Sequence, residues 1–386
     1  MRTERLTATA PGGRTRTRTW LLTLASIALS VVLFAVCAEI ILRFLPVASG
    51  LASLPVNAAD PVFRFAPNRA FVFSKDWDMR MVNHGHVNND GWVNDQNYQK
   101  QSTVPLLAIV GDSYIEAAMV PHGETLEGRL AKAYQGRLRV YSFAASGAPL
   151  SQYLIWAQYA VKAYDAKAVI FNVVGNDFDE SLQAYHEGPG FWEYVRDRDG
   201  TLRLHMFEHR VSLATRLVRE SALLRYLVIN LHIGSAADAL KRKVRILVGA
   251  GKQPRYVGNT SADTNVRRIS DSLAVIDAFF RDLPVMTGLP PDRIAFTLDG
   301  IRYPGASKGK SYFELMRRSF RQKGEALGYE VLDLDPLFFA NYREHHQRFD
   351  FPDDGHWNAL GHAVAAQAVR SSKLMARLLS TQASTK

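Results

Sequence analysis

Three short apolar runs, each cut off by a small polar turn, constrain this chain more than any other feature. Leu106 to Val110 stops at Gly111-Asp112-Ser113. Arg137 to Phe143 closes into Ala144-Ala145-Ser146-Gly147-Ala148-Pro149, and Lys167 to Val174 ends in Gly175-Asn176-Asp177. Between them, Gly123 to Tyr134 and Leu150 to Tyr164 read as helices. Parallel strands need long crossovers, so strand and helix in alternation predict a parallel sheet covered on both faces. The rhythm returns later. Val266, Ile269, Leu273, Ile276 and Phe280 fall at steps of three and four, the spacing of one helix face. Arg293 to Leu298 and Tyr329 to Leu334 read as a fourth and fifth strand around a helix from Ser311 to Leu327, and a last helix spans Ala359 to Leu379. The expected fold class is α/β: a three-layer α/β/α sandwich on a five-stranded, flavodoxin-like parallel sheet. At 386 residues with 47% hydrophobic composition, the chain is long and apolar enough to bury such a core.

Two stretches depart from the rhythm. Residues 178–262 are expected to form an insertion over the crevice, with a hairpin from Phe191 to Phe207 around Asp197-Arg198-Asp199-Gly200 and one or two apolar helices from Val211 to Ile233. Its basic group Lys241-Arg242-Lys243 with Arg245 is read first as a solvated helix face and second as a contact with anionic lipid headgroups. The other departure is at the start. Residues 1–19 are rich in arginine, Trp20 to Ala38 carry no charge, and Ile40, Ile41 and Leu42 extend the apolar run past Glu39. That is about the 20 residues needed to cross a bilayer. Residues 20–45 are therefore expected to be one transmembrane helix rather than a cleaved signal peptide. The arginines predict a cytoplasmic start and a soluble region outside the cytoplasmic membrane. Residues 46–61 look like a linker, and 62–386 like the main domain.

The net charge of +10 and pI near 9.6 come from scattered basic residues without a nucleic-acid motif, so nucleic acid is not an expected partner. The lone Cys37 lies in the apolar span and offers neither a disulfide framework nor a thiolate metal cluster. His84-Gly-His86 has metal-ligand spacing, but no third ligand follows at a suggestive distance, and a loop pair without metal is expected.

The turn at Ser113 places a hydroxyl at the carboxyl end of a strand, the edge of an open α/β sheet where ligands bind. Alone it would be a helix cap. A serine becomes a nucleophile when a base takes its proton and a carboxylate orients that base. Such a pair lies in Phe351-Pro352-Asp353-Asp354-Gly355-His356-Trp357: His356 as base, with Asp353 three residues before it, one turn away, as the acid. Asp354 is the alternative acid, since two residues make the same geometry harder. Gly147 and Asn176, each after its own strand, are candidate donors to an oxyanion.

Taken together, Gly111-Asp112-Ser113, Gly147, Gly175-Asn176-Asp177 and Asp353-x-x-His356 resemble the four blocks of the SGNH (GDSL-type) esterase superfamily over roughly Leu106 to Leu379. The resemblance implies Ser113 as nucleophile, His356 as base, Asp353 as its partner, and the Ser113 N–H, the Gly147 N–H and the Asn176 side chain as oxyanion hole. It implies a serine esterase acting on O-acyl esters, with O-acetyl groups of cell-surface or exported polysaccharide as the expected substrate, without metal or nucleotide cofactor. An O-acyltransferase using a sugar hydroxyl in place of water shares every one of these residues. A non-catalytic carbohydrate-binding or assembly protein would retain only the fold.

Overall fold

The computed structural model describes residues 13–186, 188–233, 256–257, 260–261, 266–304, 312–352 and 354–383. A long helix, α1 (Gly13–Leu42), comes first, and within it Arg18–Leu42 is long and apolar enough to cross a membrane by length and composition. An antiparallel hairpin follows, β1 (Arg69–Lys75) with β2 (Arg80–Val87). The expected alternation then begins: β3 (Leu106–Gly111), α2 (Ser113–Glu116), α3 (Leu126–Ala133), β4 (Arg139–Ala144), α4 (Leu150–Tyr164) and β5 (Ala166–Val173). The insertion carries the hairpin β6 (Trp192–Arg196) and β7 (Leu202–Met206), then α5 (Leu213–Glu220), α6 (Ala222–Arg225) and a π-helical turn, Tyr226–Asn230. A two-residue ladder joins Tyr256–Val257 to Thr260–Ser261. The remaining elements are α7 (Val266–Thr287), β8 (Ile294–Leu298), α8 (Tyr312–Ala326), β9 (Glu330–Asp333), α9 (Asp335–His345), β10 (Asp350–Phe351), β11 (Asp354–Trp357), α10 (Ala359–Arg370) and α11 (Lys373–Ala383).

The main sheet is parallel, in the order β9-β8-β5-β3-β4, so the first of its strands lies between the second and third as a flavodoxin-like order requires. Successive side chains of a strand point to opposite faces, and here both faces are covered. Leu106, Ala108 and Val110 of β3 and Val169, Phe171 and Val173 of β5 join one core with α4, α7 and α8. Leu107, Ile109, Ala168 and Ile170 join the other, with α3, α10 and α11. The first core is aromatic. Phe171 and Phe296 stack across neighbouring strands with centroids 5.4 Å apart, and Phe279 and Phe320 close over Phe296. Each such fully buried ring contributes about 1.5–3 kcal/mol by leaving water.

Several elements differ from the sequence expectation for local reasons. The last helix breaks at Ser371–Ser372, where the Ser372 hydroxyl accepts from Met375 N, and Glu330 takes the N–H groups of Lys373 and Leu374. These acceptors start a new helix rather than extend the old one. Residues 46–61, expected as a linker, lie against the domain: Val56 is buried and exchanges backbone hydrogen bonds with His209. His84 and His86 lie on strand β2 rather than in a loop. Among the described residues, no group of three or more His, Cys, Asp or Glu is placed to hold a metal ion. The basic group Lys241-Arg242-Lys243 with Arg245 lies outside the described residues.

Candidate active site

At the end of β3 the chain has no room for a side chain. A Cβ on Gly111 would come within 2.5 Å of Ile115 Cγ1, so the glycine lets the strand turn directly into α2. Asp112 caps that turn, its carboxylate accepting from Tyr114 N at 2.9 Å, and Ser113 follows as the first helical residue. The parallel register pairs Gly111 with Ala144 of β4 and Val110 with Phe171 of β5. The loops after these three strands therefore emerge side by side, with Ser113, Gly147 and Asn176 on them.

His356 reaches this edge from β11. Its Nε2 lies 2.7 Å from Ser113 Oγ. Asp112 Oδ2 is a competing acceptor at 3.4 Å, too long to take the single hydroxyl proton from the imidazole. On the far side of the ring, Nδ1 meets Asp354 Oδ1, which also accepts the His356 N–H at 3.0 Å. Asp354 Oδ2 accepts from Lys75 Nζ at 2.7 Å, so both carboxylate oxygens are engaged. Burial alone would push this carboxyl up, but the contacts with His356 and Lys75 outweigh it and hold it well below the usual carboxylate range.

Among the described residues, the carboxylate that meets Nδ1 is Asp354, the second of the two acids the sequence offers. The expectation placed the acid and His356 one helical turn apart, whereas residues 354–357 are a strand. On a strand, residues two apart share a face, which brings Asp354 onto Nδ1. Asp353 lies outside the described residues.

Gly147 has φ +77°, in the left-handed region that favours glycine, and nothing lies within 4 Å of where a Cβ would stand. The preceding residue is pinned: Glu116, one turn after Ser113 on α2, accepts from Ser146 N and Ser146 Oγ, both at 2.7 Å. Glu116 thus ties the loop bearing Gly147 to the helix bearing Ser113. Its burial pushes its carboxyl up to about 7 against those two hydrogen bonds. Asp112 is likewise pushed up to about 6 by burial, partly offset by the Tyr114 N–H and His356. Asn176 is partly buried, and its Nδ2 donates to Glu180 Oε2 at 2.7 Å. Its loop is fixed by buried Asp177, which accepts from Val174 N at 2.7 Å and from the Tyr153 hydroxyl at 2.8 Å.

A buried network behind the histidine was not foreseen from sequence. The Arg302 guanidinium grips both oxygens of Asp299, at 3.1 Å through Nε and 2.6 Å through Nη2. It also donates to the Gly355 carbonyl and the Tyr114 hydroxyl. Trp357 Nε1 donates to Asp299 Oδ1 at 3.0 Å, and the Tyr114 ring lies 5.0 Å from that of His356. The strand carrying His356 is thus held from both neighbours of the histidine.

No family model and no curated protein matches the chain. Solved structures do. The chain is similar to LAE5, an alpha/beta hydrolase enzyme from the metagenome of Lake Arreo, Spain, at 13% identity and TM-score 0.38, over 72% of this chain and 98% of that one. It is similar to Axe2, an acetylxylan esterase from Geobacillus stearothermophilus, at 11% identity and TM-score 0.38, over 72% and 96%. It is also similar to a member of the lipolytic protein G-D-S-L family from Veillonella parvula, at 10% identity and TM-score 0.35, over 69% and 96%. Identities this low leave the chemistry to be argued from this chain's own residues.

Proposed function

We propose that the chain is a serine esterase of the SGNH type in which Ser113 is the nucleophile, His356 the base and Asp354 the residue that orients it. The observation that supports this reading is the unbroken line from Ser113 Oγ through the imidazole to the Asp354 carboxylate. Ser113 Oγ attacks the ester carbonyl carbon as its proton passes to Nε2. Asp354 stabilises the imidazolium and keeps the proton of Nδ1 in place. The tetrahedral oxyanion accepts from the backbone N–H groups of Ser113 and Gly147 and from Asn176 Nδ2, whose second hydrogen is not needed by Glu180. Nε2 then returns its proton to the departing alkoxide, leaving an acyl-serine. Water then attacks the acyl-serine carbonyl carbon while giving a proton to Nε2. As this second tetrahedral intermediate collapses, the bond from the carbon to Ser113 Oγ breaks, Nε2 returns the proton to Oγ, and the carboxylic acid leaves with the free serine restored.

The substrate proposed is an O-acetyl ester of carbohydrate outside the cytoplasmic membrane, with Arg18–Leu42 as the membrane anchor. The apolar length of that helix and the arginines in front of it support the placement.

Labelling with a serine-directed fluorophosphonate tests the chemistry. The wild-type chain should label at neutral pH and Ser113→Ala should not. A folded wild-type chain that resists the reagent, or an equally labelled Ser113→Ala variant, overturns the assignment. Released acetate, measured with an acetylated oligosaccharide in the presence and absence of an unacetylated one, separates hydrolysis from acyl transfer.

A further inference from the structure

The insertion places a surface helix, α5, with two leucines turned outward. On α5, Leu213 is 76% and Leu217 66% exposed, while Arg219 on the opposite side is partly buried. A helix on the surface of a water-soluble domain turns its leucines toward the core. The exposed apolar side continues onto Leu224 and Val228.

What lies beside this face identifies its occupant. Glu39, near the end of α1, accepts from Ser221 Oγ at 2.8 Å, Ala222 N at 3.1 Å and Leu223 N at 2.8 Å, so the membrane-length helix itself caps α6. Leu42, Val47 and Ala222 form a small core of their own there. Asn230 ties the π-helical turn to the chain leaving α1 and to β1, its Oδ1 accepting from Ala48 N at 3.1 Å and its Nδ2 donating to Ser74 Oγ at 2.9 Å. Tyr226 donates to the backbone carbonyl of Trp77, which is 68% exposed in the β1–β2 turn, and Phe44 beside the helix exit is 86% exposed. Three segments distant in sequence thus present apolar side chains around the point where α1 ends. Glu39 lies three residues, or about 4.5 Å of helix rise, from Leu42, so whatever caps on it sits at the depth where the span meets water.

We propose that residues 213–233, with Phe44 and Trp77, form a docking surface that lies in the interfacial layer of a lipid bilayer. This rests on the reading of Arg18–Leu42 as a membrane span. Leucine and valine side chains enter the acyl boundary, Trp77 sits at headgroup level, and Arg216 faces the headgroups from the polar flank of α5. Because Lys75 joins Asp354 to the same hairpin that bears Trp77, the surface also fixes the active site close to the bilayer.

Nitroxide labels on the full-length chain in bilayers of zwitterionic and anionic phospholipid test the surface. Single cysteines replace Leu217, Val228, Val32 in the span and Asp199 at the β6–β7 tip, all in a Cys37→Ser background. The labels at 217 and 228 should be severalfold more accessible to dissolved oxygen than to an aqueous nickel reagent, like the label at 32 and unlike the one at 199. Labels at 217 and 228 that match 199 while 32 remains in lipid overturn the docking surface and leave the anchor standing. A label at 32 open to the aqueous reagent overturns the anchor, and the surface with it. Labels at 217 and 228 closed to both reagents indicate a protein partner and overturn the lipid assignment. Retention of fluorophosphonate labelling in each variant shows that the domain is folded.

Discussion

Asp354 and His356 stand two residues apart on one short strand, and the carboxylate of the first meets Nδ1 of the second while also taking its backbone N–H. This relationship is the ground for proposing Asp354 as the acid. Asp354→Asn should lower kcat by about 10⁴-fold, because an amide neither holds the productive tautomer nor stabilises the imidazolium. Asp353→Asn should stay close to wild type. Steady-state hydrolysis of a chromogenic acetate ester, with circular dichroism to show folding, distinguishes the two. A collapse of kcat in Asp353→Asn with Asp354→Asn intact would return the role to Asp353.

Asn176 is held by Glu180 at 2.7 Å, which fixes its side chain before any substrate arrives. A donor set in place in advance stabilises the oxyanion without reorganisation. Asn176→Ala should therefore reduce kcat by roughly 100–1000-fold. KM for the ester should change little, since the donor acts on charge that develops after binding. A variant whose KM rises while kcat holds would mean that Asn176 binds the ground state instead.

Most of the architecture was legible because it is written in periodicity. The apolar runs at β3 and β5 and the three-and-four spacing through Ile276 and Phe280 follow directly from burial on both sheet faces. The carboxyl ends of the strands located Ser113, Gly147 and Asn176 by the same logic. Contacts between segments far apart in sequence were not legible. The β1–β2 hairpin, whose Lys75 meets Asp354, lies 279 residues from its partner. Arg302 looks like any loop arginine until the fold brings it to Asp299 and the Gly355 carbonyl. Which carboxylate shares a face with His356 depends on whether 354–357 is helix or strand, and a stretch of four residues carries too little pattern to decide that. The Asp335-Pro336 start of α9 was a usable signal, since proline suits the first turn of a helix.

Arg302 is a buried cation whose partners all belong to the frame around His356, and it occupies a left-handed backbone conformation, φ +63°. Removing one member of a buried, hydrogen-bonded ion pair leaves the other charge desolvated, at a cost of about 3–5 kcal/mol. Arg302→Met should lower the midpoint of thermal unfolding strongly. Below that midpoint it should also reduce kcat, since Gly355 and Tyr114 lose their shared donor. Differential scanning fluorimetry and ester kinetics on the same preparation measure both effects. A variant with wild-type melting and altered kcat would leave Arg302 with a positioning role and no structural one.

Glu116 provides a pH dependence of defined sign. Burial raises its carboxyl from an ordinary 4.5 to about 7 in the folded protein. Between those two values the unfolded chain has released a proton that the folded chain still holds, so the unfolded state binds fewer protons and stability falls as pH rises. The largest contribution, on the order of 3 kcal/mol, is reached above the upper value, at about 1.4 kcal/mol for each unit of difference. Asp112 acts in the same direction, from 3.8 to about 6, and remains in either protein. Glu116→Gln removes one titration while keeping an oxygen for Ser146 N and an amide for Ser146 Oγ. Urea unfolding in detergent micelles at pH 5 and pH 8 should show wild type losing more stability over the interval than the variant, with the variant gaining on wild type as pH rises. Parallel losses in the two proteins would mean that Glu116 ionises in the folded state much as it does in water, and that the tie between α2 and the Gly147 loop is a carboxylate at pH 5 already.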